Sequence, residues 1–227
     1  VERLAAALDL DPSGREQLTA AARRAREDRH PSLRVPPELQ PPPTRLVGRE
    51  ELVAEVCALL ERPDVRLLTL TGAPGVGKTR VALEVAARLV ERYPAGVIVA
   101  GLASLTDPDL VAPALLRALG AHENGAQPAS EVLVARCRGR RLLLVLDNLE
   151  HLREAVPTLV ELLLSCPGVR LLATSRVSLQ ARIENEYRVP PLPLPSRQEE
   201  RAGTEALGAV SLEDAVAEAL APSAPWR

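Results

Sequence analysis

The sequence predicts an α/β fold, a parallel sheet covered by helices on both faces, and three observations carry that prediction. Short apolar runs alternate with amphipathic stretches from residue 46 to about residue 195. A glycine-rich turn separates one such run from the helix that follows it, and another run, Leu142–Leu146, ends on Asp147. Hydrophobic residues make up 46% of the 227 although aromatic ones supply only 1%, so Ala, Leu and Val must fill the core.

Taken in order, Glu50–Glu61 reads as a helix with Leu52, Val53, Val56, Leu59 and Leu60 on one face. Arg66–Thr71 is short and mostly apolar, as a strand buried on both faces must be. A helix from about Gly77 to Arg92 follows the glycine-rich turn. Val97–Leu102 reads as a second strand, with helices over 109–119 and 130–138 after it. Arg141–Leu146 is a third strand, Arg153–Leu164 a further helix and Val169–Thr174 a fourth strand. A short extended piece around Tyr187–Val189 supplies the fifth. Strands alternating with helices in this way favour parallel pairing through crossover connections.

The flanks read differently. Residues 1–29 hold two short helical patterns broken at Asp11–Gly14, too few residues to bury a core alone. Residues 30–45 contain six prolines, which favour extended polyproline backbone and predict a semi-rigid linker at a domain boundary. The α/β unit is expected over 46–195 and a divergent tail over 196–227, where Ser211 and Asp214 resemble a capping box for a helix over 212–220. The chain begins at Val1 and has no Met, which suggests a segment of a longer protein.

Bulk properties exclude several classes. A net charge of −2 provides no global basic field for nucleic acid, so DNA binding by this piece alone is not expected. No apolar run approaches the roughly 18–20 residues of a bilayer span, and no signal-peptide core is present, which suggests a cytoplasmic protein. Cys57, Cys137 and Cys166 are far apart in apolar stretches and read as small core residues, not as a disulfide or zinc framework.

Chemistry concentrates at Gly72-Ala73-Pro74-Gly75-Val76-Gly77-Lys78-Thr79, a full G-x-x-x-x-G-K-[ST] phosphate-binding loop between a strand and a helix. Gly72, Gly75 and Gly77 let the backbone turn tightly so that successive N–H groups, with that of Val76, face an anion at the helix start. Lys78 reaches the β- and γ-phosphates and the Thr79 hydroxyl ligates Mg²⁺; Arg80 follows directly and joins the nucleotide-binding set. Of the 28 basic residues Lys78 is the one lysine, and a tight loop around a compact ammonium explains why arginine has not replaced it. Asp147, at the C-terminal end of its strand, would hold Mg²⁺ through water as a Walker B aspartate does. Asn148 follows where related hydrolases carry a catalytic Glu; Glu150 and His151 are the nearby candidates for orienting water. Arg176, in Thr174-Ser175-Arg176 at the next strand end, could sense the γ-phosphate in cis.

Together "LVGREEL" at Leu46–Leu52, "LLTLTGAPGVGKTRVALEVA" at Leu67–Ala86, "LLLVLDNLEHL" at Leu142–Leu152, "LLATSR" and "YRVPPLPLP" resemble the STAND class of signalling ATPases, the NB-ARC-like group of bacterial transcriptional regulators. The resemblance covers about residues 44–195 and implies a three-layer P-loop fold with a five-stranded parallel sheet in the order 5-1-4-3-2. It also implies that Val47, Gly48 and Arg49 lie against adenine and that Arg176 contacts the terminal phosphate. Residues 1–29 look like the last helices of a lambda-repressor-like helix-turn-helix domain of the kind that precedes this ATPase in actinobacterial regulators. DNA is thus implied as a partner of a longer parent, through a recognition helix upstream, with nucleotide-dependent self-association of that parent.

The expected function is a switch that binds ATP or ADP with Mg²⁺ and hydrolyses ATP slowly or not at all. The alternatives are a catalytic ATPase using Glu150 or His151, a truncated remnant, and a metabolic kinase, for which no Arg-rich lid segment appears. Adenine over guanine follows from the resemblance and from the lack of an Asn-Lys-x-Asp motif.

Overall fold

The computed structural model describes residues 32–40, 44, 46–121 and 127–192. The helix-turn-helix tail expected over 1–29 and the tail over 196–227 lie outside the described residues. Within them, six strands form one sheet: β1 (Leu33–Arg34), β2 (Leu67–Thr71), β3 (Val97–Gly101), β4 (Leu142–Asp147), β5 (Val169–Thr174) and β6 (Glu184–Arg188). The sheet order is β1-β3-β4-β5-β2-β6 and every pairing is parallel. The five strands expected from the sequence keep the 5-1-4-3-2 order, with β6 beside β2 and β2 beside β5.

Two features correct the sequence-based picture. The sheet has six strands, not five, because part of the Pro-rich linker pairs with the domain: Val97 N–H donates to Ser32 O at 2.9 Å and Leu33 sits in register with Val97. The fifth strand is also longer than Tyr187–Val189 and starts at Glu184. Its ENEYR sequence is polar because it borders the sheet, where no second layer must bury both faces.

Among the described residues five helices of two turns or more cover the sheet: α1 (Glu50–Glu61), α2 (Lys78–Leu89), α3 (Val111–Ala118), α4 (Ala129–Cys137) and α5 (Val156–Ser165). Period-2 alternation divides each central strand between two cores. From β4, Leu142, Leu144 and Leu146 join Leu115, Leu116, Leu159 and Leu162 under α3–α5. Leu143 and Val145 of the same strand join Val53, Val56, Val81 and Val85 under α1 and α2. All six β4 residues are buried, as double coverage requires.

Arg66 ties the lower rim together. Its Nη2 donates to Leu163 O and Cys166 O, at 2.5 and 2.8 Å, and its Nε to Val169 O at 3.2 Å, satisfying carbonyls where α5 ends. Burial raises all three thiols, Cys57 to about 11 and Cys137 to about 12, so they behave as inert core groups. Among the described residues no helix is long and apolar enough to cross a membrane.

Glu184 anchors the start of β6. Burial alone would raise its carboxyl, but the Leu179 and Ala181 N–H groups and the Ser178 hydroxyl donate to it, and the net result lies below the usual value of 4.5. A depressed carboxylate stabilises the fold above its unfolded pKa and loses that contribution as pH falls through the folded one. Glu184→Gln is therefore expected to lower the melting temperature at pH 7 and to reduce the further drop between about pH 5 and pH 3, measured by thermal melts across that range.

Candidate nucleotide site

β2 delivers the chain, buried along its whole length, to Gly72, and α2 starts at Lys78. Between them the loop turns on positive φ angles at Gly72 (144°), Gly75 (76°) and Gly77 (94°), conformations that L side chains rarely adopt. Gly72 is also constrained by space: a Cβ there would lie 2.9 Å from Val189 O and 3.2 Å from Val76 Cγ1. Gly72→Ala is expected to cost about 1–3 kcal/mol of stability in a denaturant titration.

Lys78 Nζ donates to Gly72 O at 2.8 Å and Ala73 O at 3.0 Å, which places the ammonium over the loop. At the C-terminal end of β4, Asp147 is 9% exposed and its Oδ1 accepts two hydroxyls, Thr79 Oγ1 and Thr174 Oγ1, each at 2.7 Å. Thr174 Oγ1 in turn accepts from Asn148 N at 2.9 Å. Its hydroxyl thus uses its proton on Asp147 and a lone pair on the next residue, and fixes the strand end. A hydroxyl and a carboxylate are hard oxygen donors, the set Mg²⁺ prefers, so the residues present fit that ion.

Beyond Asp147 the backbone turns left-handed at Asn148, φ 67°. Asn is among the few residues other than Gly that tolerate this conformation, so the position has a backbone reason for its identity. The Asn148 amide lies 3.4 Å from His151 Nδ1, and His151 Nε2 donates to Leu105 O at 2.7 Å. Glu150 is bound by Arg176, Nε to Oε1 2.8 Å, with the carboxylate side chain 15% exposed and the arginine 61%.

A cleft of about 310 Å³ unites Gly75, Gly77, Lys78, Thr79, Arg80 and Thr174 with Asn148, Glu150 and Arg176. That volume falls at the lower end of the range for small-ligand pockets. His151 faces Leu105 and does not line it. Arg80 donates to Thr44 O at 2.8 Å and so joins the loop to the segment before α1. Of the residues expected against adenine, Arg49 is 6% exposed and donates to Val76 O at 3.2 Å, Gly48 turns at φ 70°, and Val47 is 75% exposed. Arg49 thus borders the phosphate loop from the α1 side, and none of the three lines the phosphate cleft. Thr174, which the sequence motif does not single out, is the second hydroxyl on Asp147. The signal was available in principle, since β4 and β5 are neighbours and end on Asp147 and Thr174.

A parallel sheet, a strand–loop–helix with a lone lysine at the loop, and an acidic strand end beside it define a P-loop ATPase domain. The family model for the AAA ATPase domain matches residues 45–177, and the chain belongs to that family. It is 40% identical over 152 residues to an uncharacterized protein of Mycobacterium tuberculosis, covering 66% of this chain and 38% of that one. An HTH-type transcriptional regulator of the same organism matches at 40% over 126 residues, 55% of this chain and 14% of its own length. Regulatory protein AfsR of Streptomyces coelicolor matches at 30% over 188 residues, 76% of this chain and 18% of that protein. The chain thus spans well under half the length of these relatives. Among solved structures, Cdc6p from Pyrobaculum aerophilum superposes with a TM-score of 0.51 at 16% identity, covering 67% of this chain and 49% of that one. Drosophila ORC bound to DNA gives 0.52 at 20% identity, with 82% and 50% coverage. At such identities the likeness concerns the fold alone.

Proposed function

We propose that this chain is the ATP- or ADP-binding switch module of a STAND-type transcriptional regulator, with slow or no hydrolysis. The observation that carries the reading is the division of roles around one cleft. Lys78 and Thr79, which would hold phosphate and Mg²⁺, line it with Asp147 bonded to Thr79, whereas the groups that could activate water are already paired. Asn148 has no basic side chain, Glu150 is paired with Arg176, and His151 donates to Leu105 O. A site that grips nucleotide without a free base favours exchange over turnover.

Mg²⁺, when bound, would screen the phosphate charge between Thr79 and Asp147. Val47, Gly48 and Arg49 would flank the base and Arg176 the terminal phosphate. Relatives described as an HTH-type transcriptional regulator and as a regulatory protein support a longer cytoplasmic parent for the module. In that protein DNA would be bound by an upstream helix-turn-helix domain ending within 1–29, with a connecting segment over 30–45 whose Leu33–Arg34 joins the sheet of the nucleotide unit over 46–195. Nucleotide-dependent self-association would be a property of that parent.

A ligand that binds only the folded chain raises its stability by RT ln(1 + [L]/Kd), about 2.7 kcal/mol at a hundredfold excess over Kd. ADP with Mg²⁺ is expected to raise the melting temperature by several degrees. A melt unmoved by millimolar ADP and ATP would instead favour a remnant without a competent site.

A further inference from the structure

We infer that Glu150 is a positioning residue that sets the preference between nucleoside triphosphate and diphosphate by competing for Arg176. This rests on the proposed nucleotide site and deepens it. Arg176 and Glu150 both line the cleft that holds Lys78 and Thr79, and they are joined at 2.8 Å through Arg176 Nε. Glu150 is the better buried partner, held in the short segment after β4, whereas Arg176 is mostly exposed and stands on the loop after β5. The arginine is therefore the member free to move.

A γ-phosphate in this cleft meets two opposed charges. It attracts the guanidinium, which forms its strongest hydrogen bonds with anionic oxygens. To bind it, Arg176 must divide its donors between the phosphate and Glu150, which weakens the pair without freeing the carboxylate. A diphosphate ends one phosphoryl group short and leaves the pair intact. Glu150 thus acts as an internal rival anion that weakens triphosphate binding selectively. The glutamate also changes partner status with the bound nucleotide, which gives the segment Asn148–Leu152 two electrostatic states. Asp147, the other carboxylate nearby, accepts the Thr79 and Thr174 hydroxyls behind the cleft wall, whereas Glu150 lines the cleft itself.

The test is a two-by-two cycle of wild type, Glu150→Gln, Arg176→Gln and the double variant. Each is titrated with Mg²⁺·ADP and with Mg²⁺ plus a non-hydrolysable ATP analogue, and ATP turnover is recorded in parallel. Glu150→Gln keeps the side-chain shape and removes the rival charge. It is expected to raise the ratio of triphosphate to diphosphate affinity about tenfold, within the usual range of coupling. In the Arg176→Gln background the same substitution should change that ratio less than threefold, because the competition acts through Arg176. An unchanged ratio, or an equal gain in both backgrounds, would overturn the inference while leaving the nucleotide site standing. Loss of a measurable wild-type turnover in Glu150→Gln, with the ratio unmoved, would make Glu150 the base and overturn it as well. If wild type bound neither nucleotide, the underlying site would fail and the inference with it.

Discussion

Lys78→Arg is expected to remove nucleotide binding almost as completely as Lys78→Ala, although the substitution conserves charge. The ammonium is a compact donor held 2.8 Å from Gly72 O and 3.0 Å from Ala73 O, inside a loop that turns on three glycines. A guanidinium is longer, planar and presents its donors as a fork, so it cannot occupy that point without pushing the loop open. A lost charge-assisted contact to phosphate is worth about 1.5–3 kcal/mol, or roughly ten- to a hundredfold in affinity. Titration of a fluorescent ATP analogue into wild type, Lys78→Arg and Lys78→Ala checks it. Equal affinity for wild type and the arginine variant would refute the role assigned to Lys78. The outcome also bears on composition, because 27 of 28 basic residues in this chain are arginine. Lys78 is the position where that drift meets a geometry arginine does not fit.

Asp147→Asn is expected to abolish the dependence of affinity on Mg²⁺. Asparagine keeps an oxygen that can accept the Thr79 and Thr174 hydroxyls, each now 2.7 Å from Oδ1. The fold at the ends of β4 and β5 should therefore survive while the negative charge disappears. Wild type should bind ATP at least about tenfold more tightly with Mg²⁺ than with EDTA, and the variant should bind equally in both, read by the same titration with a melt as control for folding. A retained Mg²⁺ effect in the variant would move the metal site away from Asp147.

Much of this arrangement was legible because its signals are local. An apolar run that must be buried on both faces has few alternatives, and β2, β4 and β5 fell where such runs stand. The phosphate loop joins chemistry and backbone conformation in eight consecutive residues, so spacing alone placed Lys78 and Thr79. Asp147 followed from a strand end on the ligand-binding edge of a parallel sheet.

The features that escaped depend on pairing between distant segments. Leu33–Arg34 lies among prolines that argue against a strand, yet two residues suffice where only one neighbour, β3, must be met. Leu33, Val35 and Leu39 are partly buried against the α1–α2 core, which fixes that pairing from the side-chain side. The charged run of β6 has no strand-like alternation, and among the described residues its outer edge meets no further strand. At Asn148 the sequence shows the catalytic group that is missing, but only the left-handed backbone shows what the position requires. Glu150 and Arg176 are separated by 26 residues, and nothing in either motif says that they touch. Only the register of β4 against β5 brings the two strand ends together.

The central claim is that the cleft holds nucleotide without turning it over. At saturating Mg²⁺·ATP, bound nucleotide and released phosphate can be counted on the same sample of wild-type chain. One nucleotide bound per chain, with phosphate release far below about 1 s⁻¹, an ordinary rate for an enzyme, is the predicted result. Release above that rate, abolished by Lys78→Ala, would contradict the switch and establish a catalytic ATPase.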